Sequence, residues 1–274
     1  MRRARRRVRI APPPPAVETA PEAPAPAAAE RPRPFAGLTL PDVRKEDLTG
    51  SLVVIEGADG SGRSTQISLL TEWLEGEGFP VQMMGLRQSN LIAKDIDLLL
   101  ARNTVTRMTL ALVYATDFFD QLEHRIIPAL RSGMVVLADR YFYTLIARAA
   151  VRGINRDYLH GLYNLALAPD MTVWLNVRPE VAFEREFRKS HMISYWEAGR
   201  DMNLSPDLFE SFIRYQTMLQ KEFAHLARRH RFTELDGEGR IPEVNHALRK
   251  VLAARLGIRN LRYRPSDALL HLWR

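Results

Sequence analysis

Five short, mostly apolar runs punctuate the chain, at residues 52–55, 81–84, 134–138, 171–177 and 231–235. Each is bounded by turn-forming or polar residues, as buried strands are. Between them the apolar positions change to a spacing of three and four. From 64 to 77, Ile67, Leu69, Leu70, Trp73 and Leu74 share one helix face. From 107 to 131 the same role falls to Leu110, Leu112, Val113, Phe118, Leu122, Ile126 and Leu130, with Pro128 predicted to kink the helix or end it early. A third long pattern covers 206–230, with Asp207 in its first turn and Phe209, Phe212, Ile213, Met218 and Phe223 as core positions. Strands alternating with helices predict βαβ units. The expected fold is α/β: a five-stranded, mainly parallel sheet with helices on both faces, making one three-layer domain over residues 48–256.

The flanks differ in composition. Residues 1–34 hold eight arginines and three glutamates, so +5 of the chain's formal +7 lies there. Six of those arginines precede a Pro/Ala-rich run and no apolar h-region follows them, so this is not a secretory signal. Residues 1–47 are expected to form a disordered extension whose basic head is available to a polyanion, because so little apolar surface cannot offset the ordering entropy. Residues 257–274 are expected to be a basic C-terminal tail carrying Leu269, Leu270, Leu272 and Trp273. The chain has no cysteine, which excludes disulfides, thiolate metal sites and cysteine nucleophiles and is compatible with a cytoplasmic home. No apolar stretch approaches the ~18 residues of a membrane span.

The chemistry concentrates after the first run. Gly57, Ala58, Asp59, Gly60, Ser61, Gly62, Arg63, Ser64 and Thr65 follow the form of a phosphate-binding loop, with arginine where lysine is expected. Glycines let the backbone curl so that successive N–H groups face phosphate oxygens, and the following helix N-terminus favours anions. This assigns Gly57, Asp59, Gly60, Ser61, Gly62, Arg63, Ser64 and Thr65 to a phosphate donor and Ser64 to magnesium. Asp139 and Arg140, after the third apolar run, fall at the strand end where ligands bind in open α/β sheets. Asp139 suits the magnesium shell or substrate orientation, and Arg140 suits a phosphate. Arg178, Arg185, Arg188, Lys189 and Arg200 flank a loop at 191–203 with few structural signals. On a mobile lid such arginines neutralise a transferring phosphoryl group; as a solvated helix face they pair with Glu180, Glu184 and Glu186.

Together these motifs resemble the thymidylate kinase family of nucleoside-monophosphate kinases, over roughly residues 50–255. The resemblance rests on the loop from Ile55 to Gln66, on Ile127-Pro128-Ala129-Leu130, on Asp139-Arg140-Tyr141, and on the run from Pro169 to Ala182. It implies a P-loop fold with a small lid, ATP as co-substrate, magnesium, a nucleoside-monophosphate acceptor, a place in nucleotide biosynthesis and a homodimer through long helices. It also implies that Asp59, Arg87, Phe118, Arg140 and Tyr141 serve the acceptor. Gly60 stands where some members carry an arginine, and the resemblance then implies a catalytic arginine from the lid, with Arg185, Arg188 and Arg200 as candidates.

Three departures qualify it. Arg63 keeps the charge of the loop lysine but is larger and differently shaped. Phe118 stands where the family has an arginine after Ala115-Thr116-Asp117, either to stack on a base or to pack. Thr144 to Ala149 lacks the family's base-side glutamine. Thymidine monophosphate is the leading acceptor; a polyphosphate-dependent nucleotide kinase and a catalytically degenerate nucleotide sensor or scaffold remain the alternative readings.

Overall fold

The computed structural model describes residues 36–103 and 105–258. The basic head, most of the expected N-terminal extension, and residues 259–274 of the expected C-terminal tail lie outside the described residues. Just before the domain, the Ala36 and Leu38 N–H groups donate to the Ala166 and Asn164 carbonyls at 2.7 and 2.9 Å.

The five apolar runs form five strands: β1 (Ser51–Gly57), β2 (Val81–Gly85), β3 (Val135–Asp139), β4 (Met171–Asn176) and β5 (Thr233–Asp236). They order as β2-β3-β1-β4-β5, and every pairing is parallel. The helices are α1 (Arg63–Gly76), α2 (Ala93–Arg102), α3 (Arg107–Gln121), α4 (Ile127–Arg131), α5 (Phe142–Val151), α6 (Arg156–Leu162), α7 (Pro179–Ser190), α8 (Leu208–His230) and α9 (Ile241–Leu256). Alternate residues of β1 divide between two cores, as the pleat requires. Val53 and Ile55 pack with α1 and α9 through Ile67, Leu70, Trp73 and Leu248. Leu52 and Val54 pack with α3, α5 and α8 through Phe118, Ile146 and Leu219.

The expected helix from 107 to 131 is helical throughout, but not all of it is α. After α3 it widens into one π turn at Leu122–Ile126 before α4 begins, with Pro128 in its first turn. Proline has no N–H to give to the preceding turn, and the wider turn accommodates that missing bond. The third long helix starts at Leu208. Asp207 is its N-cap and accepts the Glu210 N–H at 2.7 Å, one step outside the first turn.

One buried carboxylate ties the sheet to α5. Glu56 on β1 is fully buried and accepts the Tyr141 N–H at 3.0 Å, the Thr144 N–H at 3.3 Å and the Thr144 hydroxyl. Burial pushes its carboxyl up from 4.5 to about 7, against the opposing pull of Thr144 and the Tyr141 N–H. A carboxyl raised in the folded state stays protonated while its unfolded counterpart ionises. Its contribution is therefore lost as pH rises from about 4.5 to about 7, and ~3 kcal/mol is at stake. Glu56→Gln mimics the protonated form, so the variant should gain stability relative to wild type across that interval. Denaturant melts at pH 5 and pH 8 measure the difference; equal slopes for the two proteins would rule it out.

Candidate functional site

The parallel register brings Ile55 of β1 and Gly85 of β2 opposite Asp139 of β3, so three strands end together at one edge. The Gly57–Gly62 loop leaves β1 at that edge and enters α1. Gly60 and Gly62 hold left-handed φ of 78° and 88°. A Cβ on Gly60 would drive into the backbone carbonyl of Ala182 on α7. Position 60 thus admits no side chain, arginine included. The first turn of α1 has no side-chain cap and no acidic residue, which leaves its N–H groups for an anion.

Arg63 turns back into the loop. Its Nη1 donates to the Gly57 carbonyl at 2.6 Å, to the Ala58 carbonyl and to Ser61 Oγ at 2.9 Å, while Nε donates to Asp139 Oδ1 at 2.8 Å. Nη2 has no partner among the described residues, and the side chain lines the cavity over the loop. Ser64 Oγ donates to the other Asp139 oxygen at 3.0 Å. Burial raises the Asp139 carboxyl, but Arg63 and Arg140 outweigh it and hold the pKa below the usual range. Ser64 and Asp139 therefore present two hard oxygens side by side.

Asp59 is buried beneath two arginines. Arg140 Nη2 bonds its Oδ1, and Arg148 Nη2 bonds both oxygens at 3.1 and 3.0 Å. Burial pushes this carboxyl up, yet Arg140 and Arg148 overcome it and keep Asp59 ionised well below the usual range. Arg140 itself has a left-handed φ of 70°, which turns the chain from β3 into α5.

Two cavities meet at this edge. One, of about 520 Å³, lies over the loop and is lined by residues from Asp59 to Gln66 with Arg185 and Lys189. The other, of about 510 Å³, runs among α2, α3, α5 and the 191–203 loop and includes Arg87, Tyr114, Arg148 and Trp196. Asp139, Arg140 and Glu197 line both. Both are of the size that takes a small-molecule ligand.

Arg87 reaches the second cavity from a left-handed φ of 60°. Its N–H and that of Ser89 donate to the buried Asp117 carboxylate at 2.8 and 3.0 Å, and Nη1 pairs with Asp97 at 2.8 Å. Burial raises the Asp117 pKa despite those backbone bonds.

Several expected site residues lie elsewhere. Phe118 is 1% exposed, ringed edge-on by Phe119, Tyr141, Phe142 and Tyr163, and does not line the acceptor-side cavity. Of the two roles open to it, packing is the one it fills. Tyr141 is fully buried, donates its hydroxyl to the Leu167 carbonyl at 3.2 Å and lines neither cavity; it supports the start of α5. Arg188 pairs with Glu184 at 3.5 Å on the exposed face of α7 and lines neither cavity. Arg185 lines the loop cavity and donates to the Gly237 and Glu238 carbonyls at 2.7 and 3.0 Å. Gly57 sits under the loop as an acceptor for Arg63.

Comparison with known proteins agrees with this arrangement. A family model described as "Thymidylate kinase" matches residues 55–247. The chain belongs to the thymidylate kinase family. "Probable thymidylate kinase 2" of Saccharolobus solfataricus is 36% identical over 206 residues, covering 75% of this chain and 96% of that protein. "Thymidylate kinase" of Pelobacter propionicus is 34% identical over 206 residues, 73% of this chain and 92% of its own. That of Chlorobium chlorochromatii is 30% identical over 193 residues, 68% and 86%. As a family member the chain has a P-loop kinase fold and is a nucleoside-monophosphate kinase, with ATP as co-substrate. Among the described residues no helix is long and apolar enough to cross a membrane.

Sequence reading missed Arg148, Arg152, Glu56 and Glu197. Arg152 sits between the rings of Trp196 and Tyr215 and pairs with Asp201, tying the 191–203 loop to α5. A signal existed for Arg148: it is the one charge on α5, an otherwise almost wholly apolar helix.

The Arg63 contacts also bear on the loop's departure from lysine. One ammonium cannot reach four acceptors spread over Gly57, Ala58, Ser61 and Asp139. Arg63→Lys should therefore lower stability by about 1–3 kcal/mol and raise the donor KM several-fold. Thermal melts and donor titrations check this, and a lysine variant that is both stabler and faster would contradict it.

Proposed function

We propose that this chain transfers the γ-phosphoryl group of ATP to a nucleoside monophosphate, with thymidine monophosphate as the first acceptor, giving thymidine diphosphate and ADP. The observation that carries this reading is the pair of cavities sharing Asp139, Arg140 and Glu197. Two substrates bound one in each meet at those three side chains, and a phosphoryl group has only to cross between them. The names of the relatives support the choice of acceptor.

The loop N–H groups and Arg63 Nη2 hold the donor phosphates. Magnesium fits Ser64 Oγ and Asp139, a hydroxyl and a carboxylate 3.0 Å apart, since this ion takes few protein oxygens and keeps substrate phosphates in its shell. When bound it supplies neutralisation of donor phosphate charge. Arg87 and Arg140 orient the acceptor phosphate, and Tyr114 and Trp196 offer aromatic surface to the base. The residues supply position and charge, which is what phosphoryl transfer demands of a protein. A cytoplasmic location, and a role in nucleotide biosynthesis, belong to the same reading.

A homodimer is part of the proposal. Met108 and Leu112 lie one turn apart on α3 at 44% and 42% exposure, with Leu98 of α2 at 55%. Exposed apolar side chains of this kind on packed helices suit a self-complementary face. Light scattering should return twice the 31.3 kDa chain mass, and a monomer at micromolar concentration would count against it.

A coupled assay with ATP and magnesium against ribo- and deoxynucleoside monophosphates tests the activity. Thymidine monophosphate should give the highest kcat/KM. Absence of turnover on every acceptor would sink the reading, and turnover with polyphosphate in place of ATP would redirect it.

A further inference from the structure

The lid brings no free guanidinium to the place where the two cavities meet. Arg188 lies on the outer face of α7. Arg200 donates to the Ser205 and Pro206 carbonyls at 2.9 and 2.8 Å and lines neither cavity. Arg185 lines only the donor cavity, with two of its nitrogens on backbone carbonyls. Gly60 contributes no side chain and, against Ala182, has no room for one. A reaction that develops charge at this seam would have Arg140 alone among the cavities' shared residues to meet it, were it not for α5.

Arg148 projects from α5 into the acceptor cavity, 20% exposed. One nitrogen, Nη2, holds both oxygens of Asp59, which lines the donor cavity. The guanidinium thus reaches the seam from the acceptor side. Its Nε and Nη1 have no partner among the described residues. Arg63, Arg140 and Arg148 stand against Asp59, Asp139 and Glu197, and burial and the nearby Asp59 raise the Glu197 carboxyl. Burial and the neighbouring guanidiniums depress Arg140, whereas Asp59 outweighs the burial of Arg148 and keeps it charged. The guanidiniums are in place before any substrate arrives, as electrostatic preorganisation requires.

We propose that Arg148 is a catalytic residue, whose free N–H groups contact the phosphoryl group as it passes from ATP to the acceptor. This rests on the kinase reading above. In the step itself an acceptor phosphate oxygen forms a bond to Pγ while the bond from Pγ to the β,γ-bridging oxygen breaks. ADP leaves with that electron pair, and no proton needs to move. Charge spreads over the oxygens of the transferring group and the bridging oxygen, and a guanidinium meets it with charge-assisted donors. The cation sits on a helix anchored through Glu56, in place of one delivered by lid closure.

Full-length Arg148→Ala and Arg148→Lys, with Arg185→Ala as comparator, test the assignment using ATP, magnesium and thymidine monophosphate. Arg148→Ala should lose about 100-fold or more in kcat, with acceptor KM changed less than tenfold. Arg148→Lys keeps the ion pair with Asp59 and the fold, so its thermal midpoint should match wild type while kcat stays at least tenfold down. Added guanidinium ion should partly restore Arg148→Ala, which a purely structural loss would not allow. The ternary complex of ADP, aluminium fluoride and acceptor, which mimics the group in flight, should form with wild type and not with Arg148→Ala. Wild-type turnover together with Arg148→Lys within threefold of it would overturn the proposal and leave the kinase reading standing. A wild type inactive on every acceptor would overturn both.

Discussion

The site depends on one alignment: the parallel pairing of β1 with β3 that sets Ile55 opposite Asp139. A slip of one residue would turn Asp139 to the other face of the sheet and part it from Arg63 and Ser64. The alignment is held by apolar burial on both faces, because Val53, Val54, Val136 and Leu137 are fully buried. It is also held at the polar end, where the Arg140 N–H donates to the Ile55 carbonyl at 3.0 Å. Hydrophobic packing and site geometry are therefore the same constraint. No separate device is needed to bring the phosphate loop to its carboxylate.

Around that alignment the chain gathers more buried charge than stability alone would favour. Removing ions from water costs several kcal/mol each, and their mutual attraction returns this only with good geometry. Asp59 has such geometry, with three hydrogen bonds from two guanidiniums. Arg140 has less, since its Nε is buried without a partner and two other arginines press on it. An anion at the seam relieves that repulsion. The cluster makes sense as a binding surface for an anionic group, which crowded guanidiniums attract.

Much of the fold was legible because it is written in local pattern. All five strands lie where short apolar runs predicted them, and the first long helix follows its three-and-four spacing. What local pattern does not carry is rotation. Tyr114 and Phe118 sit one turn apart on α3 and look alike in sequence, yet Tyr114 lines the cavity and Phe118 fills the core. What decides between them is packing against distant residues, since Phe118 is enclosed by Tyr141, Phe142 and Tyr163. The same applies to Glu56. Nothing in the apolar run that contains it announces that Tyr141 and Thr144 will cap its carboxyl. The loop glycines, Ser64 and Asp139 were readable because their chemistry needs only neighbours in sequence or at a strand end.

The loop and α5 differ in how they hold their cations. Arg63 is fixed by carbonyls of the loop it serves, so its position depends on the loop's own curl. Arg148 is fixed by a carboxylate of that loop but rooted in a helix that packs on the sheet through Leu145 and Ile146, both nearly inaccessible to solvent. Asp59 thus links the loop that binds the donor to the helix that borders the acceptor. The left-handed turn at Arg140 couples the same two bodies through the backbone. An enzyme whose two substrates must be brought together, and kept from water, gains from having its donor loop and acceptor helix joined by charge before the lid acts.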